Sequence, residues 1–445
     1  MPHDRAAAPT IAVIGSGVSG LSAAWLASRS AKVTLYEKDA RIGGHAHTVN
    51  PMGDTDVDTG FIVYNEVNYP NLVALFDHLK VATKETDMSF AVSLSGGRIE
   101  YGGVGAAPLI GRVSNLVRPR FWTMMRDLLR FYREAPADAQ ACEEPLISLD
   151  EYLSTRGYSE AFLNDHLLPQ AAAIWSAPTS EIRAFPAATF IRFFTNHGLL
   201  KLTGRPIWRT VDGGSKAYVA KLLADFSGDV KQGCGAVSVK RLEGGGVEVT
   251  DAAGETNTFD KVIFATHGDQ ALKLLADPSA EETRLLSAFR YSRNTAVLHS
   301  DRSLMPKRKI TWSAWNFIGD GGEGDARRLC VTYWMNLLQR LPGERQYFLT
   351  LNPIFPPAPA SVMHEQVYEH PIFDGPAIEA QRKIWKVQGV RGTYYCGAHL
   401  GSGFHEDGLQ SGLHVAELAS GARRPWTVAN ESGRIVTAPT AEAEA

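Results

Sequence analysis
The chain has 445 residues, of which 44% are hydrophobic and 21% charged, with a net charge of −3. That is long enough for two domains of an ordinary folded protein, and the charge balance gives no footing for nucleic acid as a partner. No stretch approaches the roughly eighteen apolar residues of a membrane span, and Cys142, Cys234, Cys330 and Cys396 form no C-x-x-C pair, which excludes a zinc ribbon or dithiol centre and suits reduced cytoplasmic thiols.

Ile11 to Ile14 is a short apolar run, the mark of a buried parallel strand. Gly15, Gly17 and Gly20 follow at G-x-G-x-x-G spacing, with Ser16, Val18 and Ser19 among them, and Leu21 to Ser28 reads as a helix. In this setting Gly15 allows the tight turn, Gly17 admits a pyrophosphate and Gly20 lets helix pack on strand. The helix N-terminus offers N–H groups to phosphate oxygens. Val33 to Tyr36 is a second strand, followed by Glu37 and Lys38. Glu37 is placed to accept hydrogen bonds from a ribose diol. Gly43-Gly44 lies just past this strand, where an extended FAD would run its pyrophosphate and ribityl chain, and so favours FAD over NAD.

His45 and His47 come next, with no acidic or cysteine neighbours. A metal role is the weakest of three readings, beside cofactor contact and a structural role, and no metal site is expected. Thr59-Gly60-Phe61 offers a backbone without bulk, suited to lie against a flat ring. Asn71 to Lys80 has helical apolar spacing. From Gly111 to Glu134, Trp122, Met125, Leu128, Leu129 and Tyr132 fall at helical spacing beside Arg112, Arg118, Arg120, Arg126, Arg130 and Arg133. This is the pattern of an interfacial helix on an anionic membrane, or of a surface helix with a solvated arginine face. Phe185, Phe190, Phe193, Phe194 and Trp208, in and just beyond 164–202, line a substrate cavity or form core. Val211 to Ser215 precedes a helical pattern through Tyr218, Leu222 and Leu223. Val230 to Val249 alternates around a Gly244-Gly245-Gly246 turn, as a hairpin or three-stranded sheet. Lys261 to His267 is a buried strand returning to the nucleotide-binding sheet. The stretch 288–385 reads as an antiparallel sheet. A last strand ends at Cys396-Gly397, and a helix starts near Gly408-Leu409, where its N-terminus can stabilise negative charge on a reduced flavin. The tail 430–445 is polar and expected to be disordered.

The chain resembles the FAD-dependent amine oxidase, phytoene desaturase and protoporphyrinogen oxidase superfamily, through Gly15 to Glu37, Gly43-Gly44, Asp58 to Phe61, Val211 to Ser215, Ala265-Thr266 and Cys396 to Gly412. It departs where many members have Gly-Gly-Arg and this chain has Gly-Gly-His45, and where many have an acid and it has Ala398. The resemblance implies an α/β fold: a Rossmann-like FAD-binding domain from 1–80, 205–287 and 388–429, and an α+β substrate domain with an antiparallel sheet from 81–204 and 288–387. It implies non-covalent FAD held by Gly15, Ser16, Gly17, Val18, Ser19, Gly20, Glu37, Lys38, Gly43, Gly44, His45, Thr59, Gly60, Phe61, Val230, Gly397, Gly408 and Leu409.

Within the superfamily, 290–301, 331–339 and 403–413 look most like bacterial flavoproteins associated with cyclopropane-fatty-acid-synthase-like methyltransferases, one branch of which serves furan fatty acid synthesis. That resemblance implies a dehydrogenase of methyl-branched unsaturated acyl chains, with a lipid substrate and an anionic, inner-membrane surface as partners. His405 and Glu406 are its candidate proton acceptors. A flavin amine oxidase and a non-catalytic flavoprotein are the alternatives. Phe404 with no evident second ring before Gly408-Leu409 tilts the reading towards lipid.

Overall fold
The computed structural model describes residues 8–102, 110–111, 113–142, 146–175, 179–201, 204–320 and 328–438. Strand β1 (Thr10–Ile14), helix α1 (Val18–Ala27) and strand β2 (Lys32–Glu37) open the chain. Ile11, Ala12 and Val13 have no solvent exposure, as expected of a strand covered on both faces. Five parallel strands form one sheet in the order Asp229–Gln232, β2, β1, Lys261–Phe264 and Thr393–Tyr395. A second sheet has seven strands, in the order Val362–Ile372, Arg290–His299, Phe348–Leu351, Leu329–Trp334, Trp315–Gly319, Phe90–Leu94 and Ile99–Gly102. It is antiparallel except where Trp315–Gly319 pairs in parallel with Phe90–Leu94. The fold is thus mixed α/β, with a Rossmann-like sheet and a separate, largely antiparallel one.

The alternating stretch from Val230 divides. Asp229–Gln232 joins the edge of the parallel sheet, and Ala236–Arg241, Val247–Asp251 and Thr256–Phe259 form a three-stranded antiparallel sheet. Periodicity alone does not reveal which sheet a strand enters.

Between the two pieces of the large sheet lies a helical layer. Its longest helix, Pro119–Asp138, buries Phe121, Met124, Leu128, Phe131 and Ala135. Trp122 and Leu129 point outward instead, so the expected apolar face is rotated. Arg112 lies outside the described residues. Phe185, Phe190, Phe193 and Phe194 are buried in one cluster with Trp175, Phe131 and Phe162. They are core, not the walls of an open cavity. Leu202 lies outside the described residues.

The expected disorder of the tail does not extend through all of it. Arg434 donates to the buried Asp407 carboxylate (2.7 Å) and to the Asn68 carbonyl (2.8 Å), and its N–H donates to Gln410. One arginine thus pins 430–435 to the body; residues 439–445 lie outside the described set.

The C-terminal helix, His405–Ser420, crosses α1 at close range. A Cβ on Gly412 would stand 2.2 Å from the Ser19 carbonyl oxygen, and one on Gly408 2.8 Å from Val18 Cγ1. Gly412→Ala is therefore expected to destabilise the protein by about 2 kcal/mol or more through overpacking against backbone. Gly375, whose Cβ would meet nothing within 4 Å, is the control: Gly375→Ala should leave the thermal midpoint in place.

Candidate active site
Gly15 (φ +100°) makes the turn after β1, and a Cβ on Gly20 would stand 1.8 Å from its carbonyl oxygen, so both need glycine for the fold. Gly17 does not. Its φ is −62°, open to any residue, and a Cβ there would meet nothing within 4 Å. This bare position at the N-terminus of a fully buried helix is a cradle that a side chain would fill. Val18 and Ser19 form the first turn of that helix and are buried.

Ser16 links the parts of the cradle. Its N–H and hydroxyl both donate to Glu37 Oε2 (2.9 and 2.5 Å), and its Oγ accepts from Gly43 N–H (3.2 Å). Glu37 Oε1 accepts from Asp39 N–H. A carboxylate has about four acceptor positions, which leaves room for a ribose hydroxyl. Gly44 comes so close to α1 that its Cβ would lie 2.9 Å from Gly17 Cα. Arg41, which the sequence reading passed over, donates to the Gly44 (2.6 Å) and Ala46 (2.9 Å) carbonyls and fixes the Gly43–His45 loop. Lys38 packs beside Gly235.

Val230 pairs with Leu35, two residues short of Glu37, and its side chain is exposed. The residue paired with Glu37 is Gln232, and the N–H groups of Gly233 and Cys234 just beyond it donate to the Asp39 and Glu37 carbonyls. A two-residue difference along a strand end is beyond what apolar alternation can place.

Residues 45–48 and 58–61 run side by side: Phe61 N–H donates to the His45 carbonyl and Thr59 N–H to that of His47. A Cβ on Gly60 would stand 2.0 Å from the His45 oxygen. Asp58 anchors this pair. Its carboxylate accepts from Thr48 Oγ1 (2.5 Å), Ser215 N and Oγ (2.9 and 2.8 Å) and Gln339 Nε2 (3.0 Å). Burial pushes its pKa up to about 6 against these bonds. The two motif fragments around Asp58 and Ser215 thus have one physical origin. Thr59 Oγ1 and His47 Nδ1 both meet the Tyr368 hydroxyl, at 2.8 and 2.9 Å, so His47 is structural. His45 Nε2 is buried with no hydrogen-bond partner, and its ring lies 5.4 Å from that of His370. Among the described residues no His, Cys, Asp and Glu cluster could hold a metal.

Gly408 and the fully buried Leu409 sit in the first turns of the C-terminal helix, against Val18 and Ser19. Gly397 N–H donates to Ser411 Oγ (2.9 Å). Two helix N-termini, with their positive ends, therefore converge beside Gly17. The two candidate proton acceptors lie in the same turn but have other roles. Glu406 is fully buried and accepts from Asn71 N and Nδ2, Leu72 N and Gln410 Nε2, all at 2.9–3.0 Å. It caps the N-terminus of helix α2 (Pro70–His78), so it is structural. The His405 ring stacks on Phe61 (centroids 3.6 Å apart) and its Nε2 meets the Tyr218 hydroxyl at 2.9 Å. Burial lowers its pKa to about 3. It is a neutral, doubly engaged ring and not a free base. These roles came from contacts distant in sequence, which the adjacency of His405 and Glu406 to Gly408 could not indicate.

A parallel sheet with a vacant glycine position, two converging helix N-termini and an acid beside them defines a dinucleotide-dependent oxidoreductase. The chain belongs to the flavin-containing amine oxidoreductase family, whose model matches residues 18–419, and FAD is the cofactor expected of it. Comparison with curated proteins gives no match. Among solved structures, the chain is similar to a CLA-producing fatty acid isomerase from P. acnes, with 16% identity, a TM-score of 0.63, and 92% of this chain and 97% of that one covered. It is similar to putrescine oxidase bound to putrescine, at 14%, 0.65, 92% and 98%. It is also similar to cyclohexylamine oxidase from Brevibacterium oxydans, at 13%, 0.66, 93% and 99%. At these identities the likeness establishes the fold alone. FAD fits the residues present: Gly15–Gly20 and Gly43-Gly44 would hold its pyrophosphate, Glu37 its ribose and the start of the C-terminal helix its flavin.

Gly17→Val tests that assignment, since it disturbs no protein contact. The purified variant should fold with the wild-type circular dichroism yet lose its yellow colour; full flavin loading would show that the pyrophosphate lies elsewhere. Acid precipitation of the wild type should release all its flavin. Cys396 is buried with its thiol pKa pushed up, and a protonated thiol is a poor nucleophile. Colour staying with the pellet would mean a covalent link.

Burial also sets the acid stability. His47, His166 and His299 have pKa values lowered to about 4, and His197, His399 and His405 to about 3. Unfolded histidine titrates near 6.5, so between about pH 6.5 and 4 the unfolded chain binds more protons than the folded one. This stability is complete above about pH 6.5 and falls with pH by about 1.4 kcal/mol per unit for each ring. The thermal midpoint should drop steeply from about pH 7 to about pH 5; a flat profile there would mean that these rings are protonated in the fold.

Proposed function
We propose that this FAD-dependent oxidoreductase is a dehydrogenase that introduces a double bond into a methyl-branched unsaturated fatty acyl chain, as in furan fatty acid synthesis. The observation that carries the reading is that the carboxylates at the start of the C-terminal helix are engaged by protein donors, which leaves none of them free to hold an ammonium. Burial holds His370 to a pKa of about 4 and His399 and His405 to about 3, and His45 well below its ordinary value. Asp58 and Glu406 are engaged by four donors each and Asp407 is paired with Arg434. Such a site matches an uncharged reacting carbon better than an ammonium. The fold does not choose, since its relatives are named for a fatty acid and for amines alike.

Phe404 does have a second ring, Phe193, stacked at 4.8 Å between centroids. Rings in van der Waals contact leave no gap for an amine between them.

Bound FAD supplies the two-electron acceptor. The substrate gives up two hydrogens, one from the allylic carbon as hydride and one from its neighbour as a proton, and a conjugated diene results. The allylic position is favoured because the positive charge left there is delocalised and alkyl-stabilised. A proton beside such a cation is strongly acidic, so even a neutral imidazole of depressed pKa can take it. His45, whose buried Nε2 has no partner, is the ring free to do so.

Anaerobic mixing with lipid containing methyl-branched unsaturated chains should bleach the flavin and produce diene absorbance. His45→Gln, checked for full FAD content, should slow this by about 100-fold or more, the range for loss of general-base catalysis. Bleaching by a primary or secondary amine and by no methylated lipid would replace this reading with an amine oxidase.

A further inference from the structure
We infer that a second surface, formed by residues 113–133 and 307–310, docks on an anionic phospholipid bilayer. The outer face of helix Pro119–Asp138 carries Trp122, Arg126, Leu129 and Arg133. Their spacings of four, three and four residues make one stripe. In the turn before it Val113 is 79% and Val117 81% exposed. Trp122, 53% exposed, donates its indole N–H to the Leu116 carbonyl (2.8 Å) and so joins turn to helix. Of seventeen large hydrophobic side chains exposed among the described residues, five lie here: Val113, Leu116, Val117, Trp122 and Leu129. Such clustering is not the scatter of an ordinary surface.

The second segment is Lys307-Arg308-Lys309-Ile310, in which Lys307, Lys309 and Ile310 are exposed. Glu100 binds it to the first. Its buried carboxylate accepts from Lys307 N–H (2.6 Å) and from the Arg308 guanidinium, while its carbonyl accepts from Asn115 Nδ2 (3.0 Å). Beside the first segment lies a cavity of about 270 Å³, lined by Arg98, Ile99, Arg118, Phe121 and Met124 and by the paired Arg120 and Asp165, among others. Arg118 donates to the Arg98 carbonyl. The Arg98 guanidinium makes no hydrogen bond or ion pair among the described residues.

Charge selects the occupant. Residues 113–134 hold five arginines against Asp127 and Glu134, with Asp165 paired to Arg120, and 307–309 add three cations, of which Arg308 is paired with Glu100, in a chain of net charge −3. Apolar side chains and a tryptophan interleaved with cations match the interface of an anionic membrane, where the rings and alkyl groups enter the acyl boundary and the cations meet phosphates. A soluble polyanion would use the charge and leave Val113, Val117 and Leu129 without purpose.

The test is flotation of the full-length holoenzyme with phosphatidylcholine vesicles, with and without phosphatidylglycerol. The protein should float with the mixed vesicles and not with the neutral ones, and raised salt should release it. Lys307→Glu with Lys309→Glu should weaken binding at least about 25-fold, about fivefold for each charge. Val113→Asp with Val117→Asp should also abolish it. All four side chains are exposed, so FAD content and thermal midpoint should be unchanged. Equal flotation of wild type and K307E/K309E, or wild type that ignores the mixed vesicles, would overturn the inference. A dimer in solution that V117D dissociates would assign the face to a second copy instead. The readout is binding alone, so its failure leaves the dehydrogenase reading standing.

Discussion

The structure depends on the close crossing of α1 and the C-terminal helix. The two are separated in sequence by almost the whole chain, yet Gly408 and Gly412 bring the backbone of one against the side chains and carbonyls of the other. No larger residue fits there. The crossing sets two helix N-termini side by side next to Gly17, which alone in that turn is kept bare by neither backbone nor packing. Anion binding by a helix N-terminus follows from its unpaired N–H groups and dipole. Two such ends at one place make a site for a cofactor that carries a pyrophosphate and gains negative charge on reduction.

Around this crossing, buried carboxylates act as staples between distant stretches. Glu37 ties the turn after β1 to the end of β2, Asp58 joins the 48, 215 and 339 regions, Glu406 caps α2, and Asp407 holds Arg434. Each satisfies N–H groups that would otherwise be buried without partners. The raised pKa of Asp58 marks what this costs: the charge is desolvated, and its hydrogen bonds only partly offset the penalty. Because these acids are engaged internally, none of them faces a substrate. The histidines nearby are neutral for the same reason, burial without a charged partner.

The helical layer extends this economy outward. Its inner face is a continuous aromatic cluster from Phe131 to Phe194, which fixes the Phe193–Phe404 stack at the start of the C-terminal helix. The same helix that buries Phe131 turns Trp122 and Leu129 to solvent. One amphipathic element thus joins the interior near the flavin site to the apolar and basic face between Val113 and Arg133.

The sequence by itself determined the parts that depend on local rules. Gly15, Gly17 and Gly20 between an apolar run and a helix, Glu37 at the next strand end, and Gly43-Gly44 beyond it specify a dinucleotide cradle, because turn geometry, backbone approach and helix dipoles act over a few residues. Only the tertiary structure decided what depends on distant partners. Glu406 looks like a base until Asn71 and Leu72 arrive to be capped by it, and His405 until Phe61 and Tyr218 enclose it. Strand register sets Val230 opposite Leu35, two residues short of Glu37. Trp122 and Leu129 share a helical period with Leu128, but which side of that period is buried was settled by the helices packed against it. Register, burial and hydrogen-bond partners are properties of the assembled chain, and the pKa of a side chain follows from them.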